Sequence, residues 1–118
     1  MDFKFDKEKT VIVGGAAMFR HGLVDSYNDI DIVVTSLEDI EGITYFDSKS
    51  SLTKSGKRAY IDNVDIFIEE ELPEYEVING FNVATIDSMI KYYESVIENS
   101  DEYTKQFAIK KLNILKPH

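Results

Sequence analysis

Val11-Ile12-Val13-Gly14-Gly15 and, after thirteen intervening residues, Asp29-Ile30-Asp31-Ile32-Val33-Val34 are the stretch on which the fold turns. The first part is a short β-branched run ended by two glycines, which reads as a buried strand entering a tight turn. Ala16 to His21 contains good helix formers and no breaker, and Gly22 is a stop signal. Asp29 to Thr35 reads as the next strand, alternating acid and aliphatic before it turns wholly apolar. Strand, glycine turn, short helix, strand is therefore the expected nucleus.

Working outward, Ser36 to Gly42 reads as a short acidic helix or loop, and Ile43 to Phe46 as a third strand. Lys57 to Ile61 and Val64 to Ile68 form a hairpin signature around Asp62-Asn63, two residues that tolerate positive φ. Val64, Ile66 and Ile68 share one face of the second hairpin strand, and Asp65 points to the other. The last third is helical. Thr85 can cap a helix whose Met89, Ile90, Tyr93, Val96 and Ile97 make one apolar stripe. A second helix starting near Ser100 or Asp101 is expected to bury Tyr103, Phe107, Ala108, Leu112 and Leu115 and to end before Pro117. The class is α+β: a small mixed β-sheet with helices packed on one side and a C-terminal helical pair. One domain spans 1–118, with the sheet core and its site in 1–84 and the helices in 85–118.

The chemistry concentrates in the carboxylates. Asp29 and Asp31, two apart on a strand, project to the same face about 6–7 Å apart, while Ile30 and Ile32 point into the core. Side-by-side carboxylates repel, raising one pKa unless a cation compensates. A hard cation such as Mg2+ is bound by carboxylate oxygens. Asp65 adds a third carboxylate if its strand neighbours that pair, and three converging carboxylates can hold two metals that clamp both oxygens of a phosphoryl displacement. Gly14 and Gly15 let backbone approach a phosphate chain, with the amides of the following helix start as donors. The simpler readings are a solvated strand face for Asp29 and Asp31, a solvated hairpin end for Asp65 and a plain strand-to-helix turn for the glycines.

Composition narrows the partners. The 118 residues carry a net charge of −9, with 43% hydrophobic and 12% aromatic residues. This fits one folded domain and argues against extended nucleic-acid binding, which rests on phosphate neutralisation by Lys and Arg. With no cysteine, disulfides, thiolate zinc sites and cysteine nucleophiles are excluded. The start lacks a signal-peptide pattern and no apolar run is long enough to span a membrane, so a soluble, cytoplasmic protein is expected. A dinucleotide fingerprint fails at Ala17 and Met18, an EF-hand fails at Val33, and a Walker Gly-Lys-Ser/Thr is absent.

Gly-Gly after a strand, a short helix, Asp-x-Asp on the next strand and a later lone Asp resemble the signature of the DNA polymerase beta-like nucleotidyltransferase superfamily, in its minimal members. The resemblance covers Val11 to Ile68. It implies that Gly14 and Gly15 cradle a nucleoside triphosphate such as ATP. It further implies that Asp29 and Asp31 bind two Mg2+ ions, and that Asp65 binds one of them and helps activate the acceptor. The implied reaction is attack of a hydroxyl-type acceptor on a small molecule, protein or RNA end at the α-phosphate, releasing pyrophosphate. Many relatives have Ser where this chain has Gly15, and many have Arg or Lys just before the aspartate pair, where this chain has Val24-Asp25-Ser26-Tyr27-Asn28. The triphosphate charge then falls to Arg20, Lys49, Lys54, Lys57, Arg58 or Lys91, or to the metals alone. The resemblance also implies a homo-oligomer or a protein partner to complete an open cleft.

Lys91 is the candidate nucleotide contact of the helical tail, with a solvated helix face as its alternative. His21 reads as satisfying the last carbonyls of its helix, Lys49 to Arg58 as a solvated loop or a phosphate contact, and Tyr92, Tyr93, Tyr103 and Phe107 as core. Two further readings of function stay open. One is a nucleotidyltransferase-like binding module that acts through a protein partner, of toxin–antitoxin or phage–host type. The other is an enzyme of nucleic-acid ends with a local basic groove.

Overall fold

The β-branched run before the glycines does form a strand, and the rest of the sheet assembles around it. The computed structural model describes residues 6–37, 45–47, 52–61 and 63–116. Its elements are β1 (Val11–Val13), α1 (Gly14–Arg20), β2 (Ile30–Val34), β3 (Tyr45–Asp47), β4 (Lys57–Ile61), β5 (Val64–Ile68), β6 (Tyr75–Ile78), β7 (Phe81–Ala84), α2 (Ile86–Asn99) and α3 (Glu102–Leu115). The strands form one mixed sheet in the order β3-β4-β5-β2-β1-β7-β6. Two pairs are parallel, β2 with β5 and β1 with β7, and the others are antiparallel. The class is the expected α+β, closed by a C-terminal helical pair.

Period-two alternation decides which face is buried. Ile30, Ile32 and Val34 of β2 register against Val64, Ile66 and Ile68 of β5, with Ile12 opposite Ile32 and Ala59 opposite Ile66. All of these side chains are buried. Burying one such branched side chain contributes about 1.5–3 kcal/mol, so this aliphatic face is the main source of cohesion.

Several boundaries differ from the sequence expectation. α1 begins at Gly14, two residues before Ala16, and His21 is its C-cap. β2 begins at Ile30, whose N–H bonds to the Asn63 carbonyl at 3.1 Å, so Asp29 lies in a bend ahead of the strand. The polar run Asp25 to Asn28 offers turn-forming side chains that compete with ladder pairing. The β4–β5 hairpin has the expected ends, although Asp62 of its turn lies outside the described residues. Residues 38–42 of the acidic segment, and 43–44 ahead of β3, also lie outside them.

The β6–β7 hairpin is absent from the sequence reading. Its turn is Asn79-Gly80, with φ of 52° and 83° at the two positions. Asn-Gly is the dipeptide that tolerates left-handed φ twice in succession, as the tightest hairpin turns require. α2 starts as expected, Thr85 accepting from the Ser88 N–H at 3.1 Å, and Asp101 caps α3 through the Thr104 N–H at 2.8 Å. Met89, Tyr93 and Val96 are buried along α2. On α3 the expected stripe is only half right. Ala108 and Leu115 are buried, but Tyr103 is 87% exposed and Phe107 43%. No helix of the described residues is long and apolar enough to cross a membrane.

Candidate active site

The alternation that buries Ile30, Ile32, Val64 and Ile66 sends Asp31 and Asp65 to the other face. They are direct partners across the parallel β2–β5 pair. Neighbouring strands lie about 4.8 Å apart, so the two carboxylates stand side by side. Val13 is opposite Asp31 on β1, and Tyr60 is opposite Asp65 on β4. Tyr60, Asp65, Asp31 and Val13 therefore form a row across four strands, and the row ends where the chain turns into Gly14.

Gly14 is held there by geometry. Its φ is +64°, and a Cβ at this position would lie 3.3 Å from Cγ of Asp31 and well inside contact distance of its Oδ2. Backbone conformation and the neighbouring carboxylate both favour glycine here. Gly15 differs: a Cβ there would meet only Tyr27 Cβ at 3.5 Å, an ordinary contact.

The two paired aspartates have opposite surroundings. Asp65 accepts from Arg58 through both oxygens, Nε to Oδ1 at 2.9 Å and Nη2 to Oδ2 at 2.6 Å. The guanidinium also lies 5.1 Å from the Tyr60 ring centre and 5.0 Å from that of Phe67. Burial works to lower the Arg58 pKa, but the hydrogen bond and charge of Asp65 outweigh it and hold it above its ordinary value. Asp31 has no hydrogen bond to its carboxylate among the described residues. Burial, then the charge of Asp65, pushes its pKa up to about 7, with a smaller contribution from Asp29. Arg58 and Lys111 of α3 act in the opposite direction.

The remaining candidates fall in varied places. Asp29 is exposed in the bend before β2, near enough for its charge to reach Asp31. Lys91 is exposed on α2. The next residue, Tyr92, is half-buried, donates its hydroxyl to the Leu52 carbonyl at 2.8 Å and has its pKa raised by burial. The loop before β4 is pinned where it is described. The N–H groups of Lys54 and Ser55 both donate to the Glu69 carboxylate, and the Ser55 hydroxyl donates to the Ile68 carbonyl. Lys54 and Lys57 are exposed, and Lys49 lies outside the described residues. The His21 ring bonds through Nε2 to the Ala84 carbonyl at 2.8 Å, so the side chain ties α1 to the end of β7, while the backbone N–H of this C-cap residue donates to the Ala17 carbonyl of its own helix at 3.0 Å. A carbonyl only accepts, so Nε2 carries the proton. Arg20 lies over the Phe81 ring at 4.8 Å.

No protein family, curated protein or solved structure matches the chain. The site is therefore judged on its own geometry.

Among the described residues no three His, Cys, Asp or Glu side chains form a metal-holding group. The expected three-carboxylate cluster is not assembled because Arg58 engages both oxygens of Asp65 while Asp29 stands off the strand. Asp31 is the better suited of the two to a hard cation: its half-buried carboxylate accepts no hydrogen bond among the described residues, and Gly14 brings the backbone turn close to its Oδ2. The sequence reading named Arg58 and the tail lysines only as reserves of positive charge. The register was the signal that could have placed Arg58, because a two-residue turn at 62–63 sets 60 opposite 65 and puts 58 diagonal to it on the same face.

Proposed function

We propose that this domain is a nucleotidyltransferase that uses Mg2+ to transfer a nucleoside monophosphate from a nucleoside triphosphate to a hydroxyl-type acceptor. The observation that carries the reading is the pairing of Asp31 with Asp65 directly beside Gly14, a glycine whose positive φ and closeness to Asp31 would strain a residue with a Cβ. A carboxylate pair against an open backbone turn suits a reaction at phosphorus, where positioning and charge stabilisation supply most of the rate.

Asp31, with Asp29 two residues before it, would hold the cation. When bound, Mg2+ neutralises the carboxylates and draws charge from the phosphoryl oxygens. The chain's own contributions are separate. Gly14 and Gly15 open the backbone to the phosphate chain, with the first amides of α1 as donors. Arg58 fixes the orientation of Asp65. Lys111, whose charge reaches Asp31, is a tail cation that would face the charge of a bound phosphate chain. Lys91 remains a candidate for the outer part of the nucleotide.

A second reading, a nucleotidyltransferase-like module acting through a protein partner, is favoured by one observation. Asp65 is already neutralised by Arg58. Calorimetric titration of ATP, GTP, CTP and UTP, with Mg2+ and again with chelator, separates the two. Cation-dependent binding of one nucleotide, lost in the Asp29→Asn/Asp31→Asn double variant, is the expected result. Absence of binding by every nucleotide would overturn the enzyme reading in favour of the module.

A further inference from the structure

We propose that Arg58 is a resident cation standing where a second metal would otherwise sit, so that the site seats one divalent ion, on Asp31 and Asp29, and not two. The inference rests on the proposed metal-dependent reading and specifies its stoichiometry.

Three observations carry it. The guanidinium engages Asp65 with the two parallel bonds of a fork, at 2.9 and 2.6 Å, which uses the lone pairs that a bridging metal would take. The side chain is fixed independently of Asp65, because its guanidinium lies against both the Tyr60 and the Phe67 rings and its backbone is in the β4–β5 ladder. Arg58 and Asp65 are both largely buried, with side chains 21% and 16% exposed, so water screens the pair little. A guanidinium does not deprotonate at any physiological pH, so the positive charge at Asp65 is permanent. Among the described residues Asp31 has no comparable partner. The positive charge beside the carboxylate pair is thus divided: one half is built into β4, and the other half is left to be supplied.

The arrangement implies a division of labour in the site. A divalent ion entering beside Asp31 meets one carboxylate available on the sheet and a second, Asp29, exposed in the bend before β2. It also meets repulsion from Arg58 across the strand pair. Occupation of Asp65 requires displacement of the guanidinium from its fork and from two aromatic rings. The same residue therefore lowers the stoichiometry and weakens the affinity for the first ion.

Mn2+ titration of the full chain, followed by electron paramagnetic resonance and calorimetry, tests this. The wild type should bind one Mn2+ per chain, and Asp31→Asn should bind none. Arg58→Gln should gain a second equivalent, or bind the first at least tenfold more tightly. Arg58→Lys, which keeps the charge but loses the fork and the stacking, should fall between the two and guards against a Gln variant that fails to fold. Two equivalents in the wild type would overturn the inference, as would wild-type stoichiometry and affinity in a folded Gln or Lys variant. In both cases metal binding itself stands. No Mn2+ bound by the wild type, Gln or Lys chains would instead overturn the metal-dependent reading together with it.

Discussion

The two faces of the β2–β5 pair are made by the same ten residues and do opposite work. One face, Ile30, Ile32, Val34, Val64, Ile66 and Ile68, is aliphatic and buried throughout. The other carries Asp31 and Asp65, held in the same register, with Arg58 reaching in from β4. The first face gains free energy from leaving water. The second loses some, because Asp31 is desolvated without a hydrogen-bonded partner among the described residues. A strand can serve both ends because its period of two isolates the faces: a cost on one is offset by packing on the other within the same backbone.

Substitutions break or sharpen this contrast. The largest effect is expected from Ile66→Ala on the aliphatic face, where the side chain is fully buried. It should cost about 2–5 kcal/mol in chemical denaturation, with nucleotide affinity retained in the fraction still folded. Next is Gly14→Ala at the end of the polar row. Left-handed φ costs a residue with a Cβ about 1–2 kcal/mol, and the clash with Asp31 adds to it, for a loss of about 2–4 kcal/mol.

Asp31→Asn should act in the opposite direction. The native state holds a proton on Asp31 up to about pH 7, against an ordinary value of 3.8. The wild type therefore gains stability as pH falls from about 7 towards 4, and bears the full cost of the charge above 7. Measured with chelator at pH 8, Asp31→Asn should be more stable than the wild type by about 1–3 kcal/mol, and the difference should shrink towards pH 4. A difference independent of pH would refute the assignment of this cost to ionised Asp31. The smallest effect is expected from Gly15→Ser, at less than about 0.5 kcal/mol, since the new Cβ meets only an ordinary contact. A loss as large as that of Gly14→Ala would show that the two glycines are equivalent after all.

How much of this was legible in the sequence varied with the range of the interaction. The unit from β1 through α1 to β2 could be read because a β-branched run, two glycines and an alternating strand are local signals. The β4–β5 hairpin was readable to the residue from its turn and its alternating Val64, Ile66 and Ile68. The β6–β7 hairpin was equally marked, by Asn79-Gly80, but the proline and the glutamates before it obscured a strand of only four residues. In the site, the pairing of Asp31 with Asp65 was conditional on strand order, which no local pattern fixes. The departure of Asp29 from β2 depends on where the Asn63 carbonyl lies. The exposure of Tyr103 depends on how α3 packs against the rest of the fold. These last three are tertiary facts.

The parallel pairing of β1 with β7 has a consequence in time. β1 gains its antiparallel neighbour β2 about twenty residues along the chain, but its second neighbour arrives only when Val83 comes beside Ile12, some seventy residues away. A chain leaving the ribosome can form β1, α1, β2 and the β4–β5 hairpin early, while one side of its central strand stays open. Closure waits for the strand that ends at Ala84, whose carbonyl then accepts the hydrogen bond from His21 Nε2. Such long-range closure tends to set the rate of folding. Until it occurs, Val11 and Ile12 present an unpaired strand edge, and this interval is when the nascent protein is most open to pairing with the wrong chain.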